Sequence, residues 1–248
     1  MQRSRTGILA AAILTVLATS IPAAVSAQEM SALTRGSENM QVLGHLPLGP
    51  ALNTSDMDVE QEMSRPYAYV GRMTYGGEGV KGMDIISIED PSHPEILYEW
   101  RIEDQELHLG LGGMDVKHFK WNDRYYVIQS LQFRQGGPDS DLGDVVLDVT
   151  GLPDPASVEE VARIREPSLR GGFHNIFVYK HSNGRVYLFA TVSGPYANVY
   201  DLGTLIEEGQ ENAFAGQVPV PDGDPNRSGY HDFYVAYHPD TDQDRFYG

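Results

Sequence analysis

The chain has 248 residues, a formal net charge of -17, no cysteine, 41% hydrophobic and 21% charged residues. This composition is typical of a globular protein, and it excludes disulfides, thiolate metal sites and a cysteine nucleophile. The negative charge argues against nucleic acid and anionic membrane surfaces as partners, and it is compatible with cation binding.

The first 27 residues have the pattern of a secretory signal peptide. Two arginines precede an apolar run over residues 8–18, and small residues lead up to Ala27. The run is too short to span a bilayer comfortably, although an uncleaved N-terminal anchor is the alternative. We therefore expect cleavage near Ala27, a flexible leader over residues 28–39, no membrane span in the mature chain and an extracytoplasmic (periplasmic or secreted) location.

From residue 40 onwards, short aromatic and β-branched segments alternate with turn residues. Such segments favour strands because they suit a pleated, half-buried surface, whereas Gly, Asn, Ser and Pro suit chain reversals. The predicted strands cover 41–49, 56–61, 67–72, 83–88, 96–102, 114–121, 124–133, 144–149, 158–165, three segments of 171–203, 217–221, and two segments that start at Tyr230 and Arg245.

These strands recur in units of four. The second strand of each unit returns after 58, 62 and 59 residues, at Tyr67, Tyr125, Tyr187 and Phe246. A steady period of four strands predicts an all-β fold over residues 40–248, a β-propeller of four-stranded antiparallel blades. A two-sheet sandwich with chance periodicity is the alternative.

The number of units bears on completeness. The sequence supplies about three and a half blades, and the segment 41–49 has the place of a strand that closes the ring in the last blade. Because propellers have about 4–8 blades, we expect the sequence to be part of a longer propeller, truncated at its C-terminal end.

Three phrases carry a resemblance to a known family. GMDIISIEDPSHPEIL (82–97), DVVLDVTGLPDPASVEEVARI (144–164) and ANVYDLG (197–203) resemble LVIVD-repeat units, and residues 40–248 are similar to exported bacterial LVIVD-repeat proteins, some of them grouped with choice-of-anchor surface proteins. The resemblance implies a β-propeller outside the cytoplasm and brings no catalytic residues. The third unit departs from the pattern through an insert, 204–216, which puts its outer strand in doubt.

Polar residues at the starts of the inner strands are the candidate site. Asp58, Asp115, His174 and His231 recur at similar spacing, and the first strand of each propeller blade lines the central channel. Two carboxylates and two imidazoles around one axis predict a site for one divalent metal ion. The alternative is that these side chains hydrogen-bond neighbouring backbone and tie the blades together.

A second acidic cluster lies near the C-terminal end of the sequence. Asp240, Asp242 and Asp244 alternate as at the start of a calcium loop, but Arg245 stands where such a loop needs glycine. A solvated hairpin turn is the alternative interpretation.

The sequence thus supports two functions. The first is an exported propeller that acts as a binding or scaffold module for a protein, peptide or glycan, because blade loops converge at the channel mouth. The second is a metal-dependent hydrolase or lactonase-like enzyme with its site in the channel. Since one fold hosts many functions, the sequence leaves open whether the protein is an enzyme.

Overall fold

The computed structural model describes residues 36–49, 53–75, 79–133, 137–168, 171–221 and 229–248. The predicted signal segment, residues 1–27, lies outside these residues, as does the predicted leader up to residue 35. Among the described residues, no helix combines the length and the apolar character needed to cross a membrane.

The described residues form three four-stranded antiparallel sheets in sequence order, followed by a hairpin. After a short hairpin of β1 (Gly36–Ser37) and β2 (Met40–Gln41), blade 1 contains β3 (Thr54–Val59), β4 (Tyr67–Arg72), β5 (Gly82–Ser87) and β6 (Glu95–Arg101). Blade 2 contains β7 (Gly110–Trp121), β8 (Arg124–Phe133), β9 (Leu142–Asp148) and β10 (Glu159–Arg165). Blade 3 contains β11 (Ile176–Lys180), β12 (Val186–Thr191), β13 (Tyr196–Asp201) and β14 (Phe214–Pro219), and blade 4 is described as β15 (Tyr234–His238) and β16 (Gln243–Tyr247).

Burial follows the position of each strand in its blade. Every residue of β4 and of β9 is buried, whereas the outer strands β6 and β14 are mostly exposed or half-buried. A middle strand covered on both faces needs apolar side chains in both directions, which is why these strands appear as continuous apolar runs in the sequence.

Neighbouring blades pack face to face through separate apolar clusters. One cluster joins blades 1 and 2 around Tyr69 and Leu147, a second joins blades 2 and 3 around Ile128 and Tyr200, and a third joins blades 3 and 4 around Phe189. The inner strands β3, β7, β11 and β15 contact one another in that order. Sheets that fan around adjacent inner strands form a β-propeller, so the predicted fold class is confirmed.

The segment 41–49 differs from its prediction as a strand. Residues 42–49 form no helix or strand, and Leu46 and Leu48 pack against Val70 and Ile86 on the face of blade 1 that is turned away from blade 2. The apolar residues that predicted a strand are therefore used to cover a sheet face.

The insert 204–216 was predicted to disturb the outer strand of the third unit. Two short helices form here, α1 (Leu202–Glu208), which begins two residues before the insert, and α2 (Gln210–Ala213), and the outer strand β14 still forms. The Asp201 side chain accepts a hydrogen bond from the backbone N–H of Thr204 and caps α1. The buried side chains of Leu202 and Leu205 join the core between blades 2 and 3, so the insert adds a layer without removing a strand.

Candidate functional site

A cavity of about 930 Å³ lies where the inner strands of all four blades converge. We call it the channel cavity. Its polar lining comes from β3, from β7 and from the residues just before β11 and β15: Asp56, Asp115, Lys117, Asn175 and Asp232.

β-bulges aim the first two carboxyl groups. The pairing of β3 with β4 shifts register just before Met57, and the pairing of β7 with β8 shifts just before Val116. Asp56 and Asp115 lie within these two bulges, at corresponding positions of blades 1 and 2. A bulge places two residues opposite one and redirects their side chains, which explains why both carboxyl groups reach the cavity.

Asp56, Asp115 and Lys117 form one charged unit, which we call the carboxyl–lysine unit. The ammonium Nζ of Lys117 lies 2.8 Å from Oδ2 of Asp56 and also donates to Oδ1 of Asp115. The other oxygen of Asp115 accepts the backbone N–H of Ile176 from blade 3 at 2.9 Å. Asp115 therefore links blades 2 and 3 and also presents one oxygen to the cavity.

The two carboxyl groups of this unit differ in pKa. Burial and the hydrogen bond with Asp56 raise the pKa of Asp115 to about 7. Burial also acts to raise the pKa of Asp56, but hydrogen bonds from Asp115 and Lys117 and the lysine charge outweigh it and bring this pKa to about 2. Near neutral pH, Asp56 is therefore ionised, while Asp115 keeps its proton to a higher pH than an ordinary aspartate.

Asp58, the blade 1 member of the predicted metal site, lies two residues further along β3 and contacts blade 2. Its Oδ2 accepts hydrogen bonds from the backbone N–H of His118 at 2.7 Å and pairs with the imidazole Nδ1 of the same residue at 2.7 Å. Burial raises the pKa of Asp58, but these bonds outweigh it, so the pKa falls below its ordinary value. Asp58 thus ties blade 1 to blade 2, as the alternative interpretation expected.

His174 and His231 are brought together, one residue away from the cavity lining. Their ring centroids lie 5.0 Å apart at an interplanar angle of 62°. The next residues, Asn175 and Asp232, line the channel cavity instead. Within the described ranges, no group of three or more His, Asp or Glu residues could hold a metal ion, so the four predicted ligands do not form a single cluster there.

Sequence reasoning missed four cavity residues. Asp56 shares a strand face with Asp58, because side chains two positions apart point the same way, and this alternation was the available signal. Lys117 follows Asp115 at the same interval. Asn175 and Asp232 follow the two histidines directly, and only the backbone geometry before β11 and β15 distinguishes them from their neighbours.

Two aspartates of the acidic C-terminal turn, Asp242 and Asp244, accept hydrogen bonds from neighbouring groups of the protein. Asp244 accepts hydrogen bonds from the Tyr179 hydroxyl, and from the backbone N–H and hydroxyl of Ser182 at 3.2 and 2.5 Å. Asp242 accepts the Tyr237 hydroxyl at 2.7 Å within its own hairpin. Asp242 and Asp244 therefore bind different partners, and Asp244 joins blade 4 to blade 3.

These observations define a β-propeller with a polar cavity where its inner strands meet. No protein-family model matches the chain, and no curated protein matches it, so the resemblance to LVIVD-repeat proteins stays a prediction. Three solved structures to which it is similar are a thermostable family-43 glycoside hydrolase (TM-score 0.45, 11% identity, 75% of this chain and 61% of that one), an endo-arabinase of Bacteroides thetaiotaomicron VPI-5482 (0.41, 10%, 61% and 51%) and an α-L-arabinofuranosidase of Lactobacillus brevis (0.42, 12%, 61% and 50%).

The chain spans about half the length of the last two structures. At these TM-scores and identities, the likeness transfers no residue role to this chain.

Proposed function

We propose that the protein is a binding module whose channel cavity takes a neutral, polyhydroxylated ligand, a glycan. The observation that carries this proposal is the combination of donors, acceptors and aromatic rings around one cavity of about 930 Å³. Its volume lies within the range of ligand pockets, about 300–1,000 Å³. The predicted signal segment supports an extracytoplasmic place for such binding.

The polar groups suit hydroxyls, which both donate and accept hydrogen bonds. Ionised Asp56 supplies acceptors and Asn175 supplies both kinds of group. The Lys117 ammonium donates to Asp56, Asp115 and the Val116 carbonyl, and thereby fixes the carboxyl groups in place. Asp232 adds a third carboxyl group, so the described lining of the cavity contains three aspartates and one lysine. A cavity with this balance disfavours phosphate and carboxylate ligands, in agreement with the net charge of -17.

Aromatic rings form the apolar part of the cavity. The rings of Phe177 and Tyr234 meet edge to face with centroids 5.3 Å apart, and Tyr234 is 58% exposed. Tyr247 pairs with Tyr234 across the hairpin and also lines the cavity. An exposed ring beside hydrogen-bonding groups offers a flat apolar face to the C–H side of a sugar.

The ammonium held between the two carboxyl groups favours binding over hydrolysis by the carboxyl–lysine unit. Glycosidases place two carboxyl groups on either side of the scissile bond, about 5–5.5 Å or about 6.5–9.5 Å apart. Asp56 and Asp115 share the ammonium of Lys117, which donates to one oxygen of each. A glycosidic bond placed between the two carboxyl groups would have to displace this ammonium.

The test is retention on an array of neutral oligosaccharides, with sulfated and sialylated oligosaccharides as the anionic comparison. We expect the wild-type chain to bind neutral glycans, and Tyr234→Ala and Lys117→Met to lose at least about tenfold in affinity. The first substitution removes an aromatic contact, and the second removes the ammonium that fixes the carboxyl groups of Asp56 and Asp115. Tyr237→Ala is the matched control, because Tyr237 lies on the same strand, is 46% exposed and does not line the cavity. Binding to anionic glycans alone, no binding to any glycan, or equal loss in the Tyr237 control would contradict the proposal.

Enzymatic acid–base chemistry is the second candidate, favoured by the carboxyl group of Asp115 whose pKa is about 7. A group that holds a proton near neutral pH beside an ionised neighbour has the protonation needed for general acid catalysis. Mass spectrometry of bound oligosaccharides after prolonged incubation distinguishes the two candidates. Shortened products that Asp115→Asn abolishes, with binding preserved, would favour the enzyme.

A further inference from the structure

Two histidine side chains meet beside the channel cavity. His174 lies just before β11 and His231 lies just before β15, so each belongs to the start of an inner strand of a different blade. Their ring centroids are 5.0 Å apart, with the rings at 62° to each other. His174 is half-buried and His231 is exposed, so the pair is accessible from solvent.

The same backbone conformation positions both imidazoles. Each histidine is the third residue of a Gly–aromatic–His sequence, and the two glycines have positive φ angles, 67° at Gly172 and 60° at Gly229. A Cβ added at Gly172 would lie 1.9 Å from the backbone oxygen of Leu131 in blade 2, and one at Gly229 would lie 2.2 Å from that of Gly194 in blade 3. In both blades the glycine therefore lies against the backbone of the preceding blade, which fixes where the histidine emerges.

The neighbouring aromatic residues anchor this arrangement. Phe173 is fully buried and its ring contacts that of Tyr200 with centroids 6.0 Å apart. Tyr230 packs edge to face on Phe246 with centroids 5.1 Å apart. The residue before each histidine is therefore packed in an apolar cluster, and neither imidazole belongs to these clusters.

A hydrogen bond sets the tautomer of His174. Its Nδ1 lies 3.0 Å from the side-chain oxygen Oε1 of Gln132, which extends from β8 of blade 2. A carbonyl oxygen can only accept, so Nδ1 carries the proton and Nε2 keeps its lone pair. Metal-ligating histidines generally donate their second ring N–H in this way.

We propose that His174 and His231 bind a divalent transition-metal ion between them, with Gln132 as the residue that orients the first ligand. Imidazole nitrogens suit Zn²⁺, Ni²⁺ and Cu²⁺. The carboxylate of Asp232, which directly follows His231 and lines the adjoining cavity, adds a negative charge that attracts cations. Two protein ligands leave coordination positions for water or for a ligand in the cavity, as in an open metal site.

The alternative is that the two rings only pack against each other. The two interpretations differ in what a substitution does. If the rings only pack, a substitution changes the unfolding temperature and the protein binds no metal ion. If they are ligands, removing either imidazole, and with it a nitrogen lone pair, lowers the affinity for the metal ion.

The experiment uses the full chain without an affinity tag, titrated with Zn²⁺ alone by isothermal calorimetry. We expect one Zn²⁺ per chain, and a loss of about tenfold or more in affinity for His174→Ala and for His231→Ala. Gln132→Leu should lose about tenfold as well, whereas Gln132→Glu should retain affinity because a carboxylate also accepts the Nδ1 proton. Electron paramagnetic resonance of the Cu²⁺-loaded chain should show two coordinated nitrogens, and one in either alanine variant.

His181→Ala is the matched control, because this histidine of blade 3 pairs with Asp244 away from the site and should leave the affinity unchanged. Unfolding temperatures of each variant without metal separate folding from ligation. If His174→Ala does not fold, exposed His231 carries the same test. Absence of stoichiometric Zn²⁺ binding, unchanged affinity in the folded variants, or equal loss in the His181 control would overturn the proposal.

Discussion

Replacing Asp144 with asparagine is expected to stabilise the protein at neutral pH, by an amount that grows as the pH rises. Asp144 lies in β9, its side chain has no solvent exposure, and neither carboxyl oxygen has a hydrogen-bond partner among the described residues. Burial, with a further contribution from the charge of Asp115, raises its pKa well above the ordinary value. Blades 1 and 3 have apolar side chains at the corresponding register positions, Met83 and Ala197.

The magnitude follows from proton linkage. In the folded chain Asp144 keeps its proton, whereas in the unfolded chain it ionises above about pH 4. The folded state therefore binds more protons, and its stability falls by about 1.4 kcal/mol for each pH unit between that pH and the folded pKa. Asparagine does not titrate, so the stability difference between Asp144→Asn and wild type should be close to zero near pH 4 and rise at about that slope.

Asp84→Asn is the control with the opposite sign. Asp84 is equally buried, but it pairs with Arg72 and, at 2.5 Å, with Arg101. Removing its charge leaves buried Arg72 without its carboxylate partner, and breaking a buried ion pair in this way costs about 3–5 kcal/mol. The same substitution should therefore destabilise blade 1 and stabilise blade 2 at neutral pH.

Urea unfolding followed by circular dichroism between about pH 4.5 and 7.5 measures both effects, provided that the slope of free energy against urea is unchanged. A stability difference for Asp144→Asn that does not vary with pH would show that Asp144 is ionised or solvated in the folded chain. That result would refute the assignment of a neutral buried carboxyl group.

Two further predictions concern the blade contacts. Gly172→Ala should cost roughly 3 kcal/mol or more in unfolding free energy, since it adds a contact 1.9 Å from the backbone oxygen of Leu131 to the strain of a positive φ angle. Gly184→Ala, at φ 88° with nothing within 4 Å of the added Cβ, should cost only the strain, about 1–2 kcal/mol, and equal losses in urea unfolding would refute the contact. Burial lowers the pKa of His118, but the bond to Asp58 outweighs burial, so the pKa of His118 is raised. The ion pair therefore stabilises the folded chain most between the unfolded pKa values of the two residues, about 4 and about 6.5. This stabilisation is lost as the pH rises through the folded pKa of His118. An NMR titration of His118 should show a midpoint above about 6.5 that falls in Asp58→Asn, and an unchanged midpoint would refute the pair.

Strands in the middle of each blade could be predicted well because their signal is local. The predicted bounds of β4 (Tyr67–Arg72) and β8 (Arg124–Phe133) are those of the structure. Both are aromatic and β-branched runs bounded by turn residues, so neighbouring residues alone determine them. The fold class followed from the repeat of such runs at a steady period.

The side chains that reach the channel cavity were harder to predict because the inner strands are irregular. Alternation along a strand gives a side chain its face, but a bulge adds one residue and reverses that assignment. β3 and β7 both contain such bulges beside the cavity. The sequence could group Asp56 with Asp58 on one face, but the height of each along the channel depends on how blade 1 stacks on blade 2. His174 and Asn175 lie before β11 (Ile176–Lys180), outside the regular strand, where alternation assigns no face.

The inner strands thus divide the channel into two chemically different halves. Blades 1 and 2 supply the carboxyl–lysine unit, which is positioned by two β-bulges. Blades 3 and 4 supply the histidine pair, which is positioned by two glycines with positive φ angles. Because the two sets share no residue, the two proposals can be separated in one experiment. Lys117→Met should weaken glycan binding and leave Zn²⁺ affinity unchanged, whereas His231→Ala should weaken Zn²⁺ binding and leave metal-free glycan binding unchanged. If each substitution weakened the binding of both the glycan and Zn²⁺, the two halves would form a single site, and the metal ion would have to lie in the cavity itself.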